Sequence, residues 1–158
     1  MRAAVLVPLY EEDGLLRLVL TRRPEDMRTH AGDVVFPGGM IDPADGGPVD
    51  TAIRETWEEV GIPPDHVEVL GGLPPATTRS EEMLIVPVVA RVRRPGVLVP
   101  EPGEVEAIIE PAVDALLDDA SWRTETWGGH RLWFYEFPEG TLWGATARIV
   151  RELLGYFR

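Results

Sequence analysis

Hydrophobic and polar positions alternate or cluster in short runs along most of this chain, and adopt helical spacing in only two long stretches. Residues 3–9 and 15–21 read as two strands around the turn Glu11-Glu12-Asp13-Gly14, a hairpin signal. Residues 22–32 are polar and broken by Pro24, which predicts a long loop. Loops of that length inside a compact domain are more often functional than idle. A short strand over 33–36 ends at Pro37-Gly38-Gly39. The period then changes. Val49, Ala52, Ile53 and Val60 share one helical stripe, with Thr56 lying within it, Pro48 suiting the first turn and Gly61 acting as a stop. That predicts a helix over 48–60. Further strands are expected over 67–73, 83–92, 105–109 and 131–137, with a weaker one over 122–126 and a short helix over 112–117. The chain closes with an amphipathic helix over 142–156, where Trp143, Ala147, Val150, Leu153 and Leu154 recur at helical spacing. Such an order predicts an α+β domain, an α/β/α layered sandwich around a mixed sheet. No repeat or linker divides the 158 residues, so one domain is expected over 1–158.

Charge narrows the partners. There are 27 acidic residues against 15 basic ones, a net charge of −12. A field of that sign repels long polyanions and excludes binding to nucleic acid by broad phosphate neutralisation. A small phosphorylated ligand remains compatible where metal ions or a few placed arginines reverse the field locally. Cysteine, lysine, asparagine and glutamine are all absent, and every basic residue is arginine. This removes disulfides, thiolate chemistry and Schiff-base chemistry together. The lack of Asn, Gln and Cys, with 15 prolines, fits a heat-adapted protein. The apolar stretch 3–10 runs straight into Glu11-Glu12-Asp13 and reads as a strand, not a leader; no run is long enough to span a membrane. A cytoplasmic protein, monomeric or homodimeric, is expected.

The chemistry concentrates in Arg54-Glu55-Thr56-Trp57-Glu58-Glu59-Val60-Gly61-Ile62. At 100° per residue, Glu55, Glu58 and Glu59 fall within roughly a 100° arc beside the apolar stripe. Like charges at that spacing repel by roughly 0.2–0.5 kcal/mol per pair. An acidic solvated face is the plain alternative, but only Arg54 is at hand to compensate, and a glycine-rich turn lies just upstream. Convergent carboxylates with carbonyl oxygen nearby make a hard-oxygen site suited to Mg²⁺ or Mn²⁺.

Gly39, five residues, Asp45, eight residues and then this stretch resemble the Nudix box. That family pattern is glycine, five residues, glutamate, seven residues, then Arg-Glu-aliphatic-x-Glu-Glu-x-Gly-aliphatic. Asp45 replaces the early glutamate, one extra residue precedes Arg54, and Thr56 stands where an aliphatic residue is usual. A second resemblance overlaps the first. Leu20-Thr21-Arg22-Arg23-Pro24, then Arg28, Gly32 and Phe36-Pro37-Gly38-Gly39, is similar to the signature of the coenzyme A diphosphatase branch, with Pro24 in place of a serine. The extra residue in the box is itself usual in that branch.

The resemblance implies a Nudix hydrolase that splits the diphosphate of coenzyme A or its thioesters into 3′,5′-ADP and 4′-phosphopantetheine or its acylated form. ADP-ribose, a dinucleotide or a nucleoside triphosphate are the alternative substrates. It further implies Glu55 and Glu59 as metal ligands, Glu58 as a further ligand or partner to a bound water, and the Gly39 carbonyl completing the shell. Arg54 is expected to orient a helix carboxylate by a bidentate contact. Glu104, in the turn Pro102-Gly103-Glu104-Val105, is a candidate additional ligand or general base. Arg23 and Arg28, with Gly38 and Gly39, are the candidate substrate-binding residues, since guanidinium forks suit phosphate oxygens. His30, His66 and His130 are given no role. Trp57, Trp122, Trp127, Trp133 and Trp143 are expected mostly in the core, with one free to stack on an adenine.

Overall fold

The computed structural model describes residues 1–27, 32–78 and 83–158. Its centre is β1 (Arg2–Glu12), whose residues alternate between two cores. Ala4, Leu6 and Tyr10 face one cluster with Ala52, Val60, Ile62, Val88 and Ala90. Val7 and Leu9 face the other, with Leu18, Leu20, Val89, Ile149, Val150 and Leu154. A strand buried on both faces must be apolar throughout, which is why the start of the chain is a nearly continuous hydrophobic run.

Around β1 the main sheet is mixed. The hairpin strand β2 (Leu15–Leu18) pairs with it antiparallel, and a bend at Val19 leads to β3 (Leu20–Arg22). β3 joins the small sheet β4–β3–β9, built with β4 (Val34–Val35) and β9 (Ala107–Ile109). β5 (Gly38–Met40) pairs antiparallel with β1 through Val5↔Gly38 and Ala4↔Gly39. Helix α1 (Pro48–Val60) covers this face. β6 (Val67–Gly72) and β7 (Ala76–Thr77) pair antiparallel with successive parts of one edge of β8 (Leu84–Val92), whose other edge runs parallel to β1. On the other face lie α2 (Val113–Leu117) and α3 (Gly144–Leu154), with the antiparallel sheet β10 (Arg123–Trp127), β11 (His130–Phe137) and β12 (Gly140–Leu142). The result is the expected α+β sandwich, a mixed sheet packed between helices. No helix among the described residues is long and apolar enough to cross a membrane.

Helix α1 ends where the sequence says: Gly61 is left-handed (φ 79°) and its N–H reaches the Trp57 carbonyl at 3.0 Å. Several expectations need correction. The strand expected over 33–36 is only Val34–Val35, and Gly38-Gly39, read as a turn, is strand β5. Val49 is 40% exposed and off the apolar stripe. The last helix begins at Gly144, because Leu142 is taken by β12 and Gly144 has a positive φ of 66°. Trp143 therefore sits outside the helix stripe and is 45% exposed. Trp57 and Trp127 are also more than half exposed, and of the five tryptophans only Trp122 is fully in the core.

Thr56 is completely buried, and its hydroxyl donates to the Ala52 carbonyl at 2.7 Å. That carbonyl also lies on the helical backbone ladder, so Thr56→Val strands no acceptor and adds a methyl to a tight site. The expected change in stability is within about 1 kcal/mol of zero, read by urea unfolding. A loss of several kcal/mol contradicts this account.

Candidate active site

Two elements converge at the site: the last two turns of α1 and strand β5. At Gly38 and Gly39 there is no room for a side chain, the first being crowded by β1 and the second by α1. A Cβ on Gly38 would lie 2.3 Å from the Ala4 carbonyl oxygen and 2.7 Å from Val5 Cα. A Cβ on Gly39 would lie 2.7 Å from the Glu55 carboxyl carbon. The freed space is used by hydrogen bonding: the Gly38 N–H donates to Glu59 Oε1 at 2.9 Å. Glu59 itself is 5% exposed, a carboxylate placed in the protein interior.

A third acid completes the group. Glu55, Glu59 and Glu104 each offer a carboxylate oxygen, and these oxygens lie within 4.8 Å of one another. Glu104 arrives through a backbone strap. The N–H groups of Val99 and Glu101 donate to the carbonyls of Val60 and Glu59 at 3.0 and 2.9 Å, satisfying otherwise orphaned acceptors at the end of α1. Glu101 then turns the chain by accepting from the N–H groups of Glu104 and Val105, and the buried Val105 pins the turn.

The electrostatics follow from this crowding. Burial, against the Gly38 hydrogen bond and with the nearby charges of Glu55 and Glu104, pushes the Glu59 carboxyl up to about 8. Burial also raises Glu55, opposed by Arg54. A carboxyl whose ionisation is opposed by burial and by neighbouring acids gains most from a cation that enters beside it. Three oxygen donors, hard and anionic, fit Mg²⁺ or Mn²⁺ and suit no soft metal.

Glu58 stands apart from this trio. It is exposed and accepts from Arg54 Nη1 at 3.2 Å. Arg54 does make a bidentate contact, but with the loop: its Nε and Nη2 reach Asp45 Oδ1 and Oδ2, both at 3.0 Å. Its Nη1 is left for Glu55 and Glu58. Asp45, which also accepts from the Thr51 hydroxyl at 2.6 Å, is lowered to about 2 by the Arg54 hydrogen bonds and then by Thr51. The extra residue before Arg54 thus leaves the Asp45–Arg54 ion pair intact; the box position of Asp45 is the sequence signal for that role. Arg23, half-buried, is near enough that its charge acts on Glu59. Its N–H donates to the Asp33 carbonyl at 2.9 Å. Arg28 and His30 lie outside the described residues. The His66 Nδ1–H donates to the Arg93 carbonyl at 2.8 Å.

Comparison with known proteins bears on what this geometry is for. The NUDIX domain profile matches residues 1–134. The chain is 39% identical over 156 residues to the uncharacterized Nudix hydrolase NudL of Photorhabdus laumondii, covering 96% of this chain and 82% of that one. It is 36% identical over 160 residues to the mitochondrial Nudix hydrolase 15 of Arabidopsis thaliana, where it spans 94% of itself and 56% of the plant protein. Among solved structures it resembles a binary complex of the Ap4A hydrolase of C. elegans, with a TM-score of 0.66 at 16% identity over 99% of this chain and 96% of that one. It also resembles the NUDIX domain of Shewanella oneidensis NrtR bound to ADP ribose, with a TM-score of 0.64 at 15% identity over 100% and 88%. At these identities the two structures speak for the fold alone.

Proposed function

The chain belongs to the Nudix hydrolase family, and from that premise we propose that it hydrolyses the diphosphate bond of coenzyme A or its thioesters. The family chemistry is metal-dependent attack of water on a phosphoric anhydride, in which the anhydride oxygens must be neutralised and the water activated. The observation that carries the reading is the trio Glu55, Glu59 and Glu104, whose crowded oxygens make a binding site for a divalent cation. These residues would hold Mg²⁺ or Mn²⁺, which would supply positive charge to the phosphoryl oxygens and lower the pKa of a water. The Gly39 carbonyl is the proposed fourth donor, and Glu58 an outer one.

The protein's own groups do the rest. Gly38 fixes Glu59 by its N–H. Asp45 and Arg54 brace Glu55 and Glu58. Glu104, the exposed member of the trio, is the proposed acceptor of the water proton. Glu104→Gln keeps the shape but loses that capacity. The expected result is a fall in kcat of about 10²-fold with a melting temperature unchanged within the error of a thermal scan. Activity equal to wild type removes Glu104 from the mechanism.

Coenzyme A is preferred because Arg23, whose charge acts on Glu59, lies in the loop that carries the branch signature, and a guanidinium fork suits phosphate oxygens. The test is turnover of coenzyme A, acetyl-coenzyme A, ADP-ribose, a dinucleoside polyphosphate and 8-oxo-dGTP with Mg²⁺ or Mn²⁺, with products identified by mass. Coenzyme A should lead the panel and yield 3′,5′-ADP. ADP-ribose turned over far faster than coenzyme A reverses the ranking.

A further inference from the structure

A ladder of flat groups stands on the β10–β11–β12 sheet. The Arg123 guanidinium lies 4.3 Å from the Phe134 ring centroid, and Phe134 stacks on Trp143 with centroids 5.9 Å apart and planes within 10°. Arg123 comes from β10 and Trp143 follows β12, so the two flank Phe134 from opposite sides of β11. Trp143 is the open end of the ladder, 45% exposed. Its ring is tethered, since Nε1 donates to Asp33 Oδ1 at 3.4 Å. An exposed indole held by stacking on one side and by its N–H at the edge loses little freedom when a second ring arrives.

Its position links it to the acids. The Asp33 carbonyl accepts from the N–H of Arg23, whose charge acts on Glu59. β12 abuts β4, with Gly140 against Val34; β4 pairs with β3, β3 with β9, and β9 follows Glu104 by three residues. Two hydrogen-bonded strand spacings and one side-chain contact between sheets make roughly 15–20 Å, within reach of an extended nucleoside diphosphate. The other exposed tryptophans are placed elsewhere. Trp57 is about 200° around the helix from Glu55 and from Glu59. Trp127 ends β10, about 13 Å along the strand from Arg123, and its Nε1 bonds Glu125.

We propose that the open face of Trp143 is a stacking platform for the aromatic base of the substrate, with the diphosphate running past Arg23 to the acid trio. The inference builds on the nucleoside diphosphate reading above and adds the subsite that reads the base. Stacking of this kind accepts any nucleobase and rejects a ligand that lacks one.

The test uses the whole chain, ¹⁵N-labelled and free of metal, with AMP and ribose 5-phosphate as probes. The indole N–H resonance missing from Trp143→Phe identifies Trp143 in the wild type. It should shift on adding AMP and stay in place with ribose 5-phosphate. In steady-state assays Trp143→Leu should raise KM for coenzyme A about tenfold or more with kcat nearly unchanged. Trp143→Phe should keep most of the affinity, and Trp127→Leu should behave as wild type. An unmoved indole resonance while AMP shifts other residues overturns the proposal, as does an unchanged KM in Trp143→Leu. Should Trp143→Leu not fold, the wild-type resonance and the phenylalanine variant decide. An indole that moves with AMP in a protein that splits none of the diphosphates keeps the subsite and discards the enzymatic reading; normal turnover with an unmoved indole does the reverse.

Discussion

Glu59→Gln should reduce hydrolysis by at least about 10²–10³-fold and, in the absence of metal at pH 8.5, make the protein more stable than wild type. The two effects have one cause. Glu59 sits 5% exposed beside two other acids, and its carboxyl is pushed up to about 8. In the unfolded chain it ionises near its ordinary value of 4.5. Between those two pH values the folded state holds a proton that the unfolded state has released. Stability contributed by the neutral acid is therefore complete below about pH 4.5, falls as pH rises, and is fully lost above about pH 8. The loss is on the order of 5 kcal/mol at 1.36 kcal/mol per pKa unit. Glutamine does not titrate, and its amide oxygen can still accept from the Gly38 N–H. A higher melting temperature of the metal-free variant at pH 8.5, on the order of 10 °C, is expected. Mg²⁺ or Mn²⁺ should then raise the melting temperature of the wild type and leave that of the variant nearly fixed. A wild type indifferent to both cations, or a variant that melts lower without them, contradicts the placement of charge described for this site.

The second large effect separates two adjacent glycines. In Gly38→Ala the new methyl meets backbone, the Ala4 carbonyl oxygen at 2.3 Å and Val5 Cα at 2.7 Å. Neither can move without opening the β1–β5 pairing, so the cost should reach or exceed about 3 kcal/mol, with activity lost as the fold is lost. In Gly39→Ala the methyl meets the tip of a side chain, the Glu55 carboxylate at 2.7 Å. That group can swing aside. Gly39→Ala should fold within about 1 kcal/mol of wild type and lose most of its activity, because Glu55 leaves the trio. Chemical unfolding and steady-state kinetics on the two purified variants read the contrast. Equal destabilisation in both refutes it.

The helix that carries Glu55 and Glu59 could be read from the chain because its signals are local: Pro48, the stripe through Ala52 and Val60, and Gly61. The α+β sandwich was legible for a similar reason, since the nearly continuous apolar run of β1 is written in successive residues. What escaped was decided across the fold. Gly38-Gly39 looks like a turn, and becomes a strand because β1 pairs with it, at Gly38 too closely for any other residue. Trp143 fits a helical spacing, but β12 claims Leu142 and leaves the indole outside. Glu104 could be named from its turn as a candidate ligand or base, but its approach to Glu55 is set by hydrogen bonding between residues 99–101 and the end of α1. Glu58, equivalent to its neighbours on a helical wheel, is distinguished from them by Arg54, whose direction is set by Asp45.

The strap formed by Val99 and Glu101 works through main-chain amides, so its grip is indifferent to which residues occupy 99–104, proline at the two donor positions excepted. The third acid is thus mounted on an exchangeable bracket. Chemistry that must be held to fractions of an ångström on α1 can be retuned at this corner by rewriting a handful of surface residues, and a laboratory seeking altered catalysis in this scaffold would do well to randomise there first.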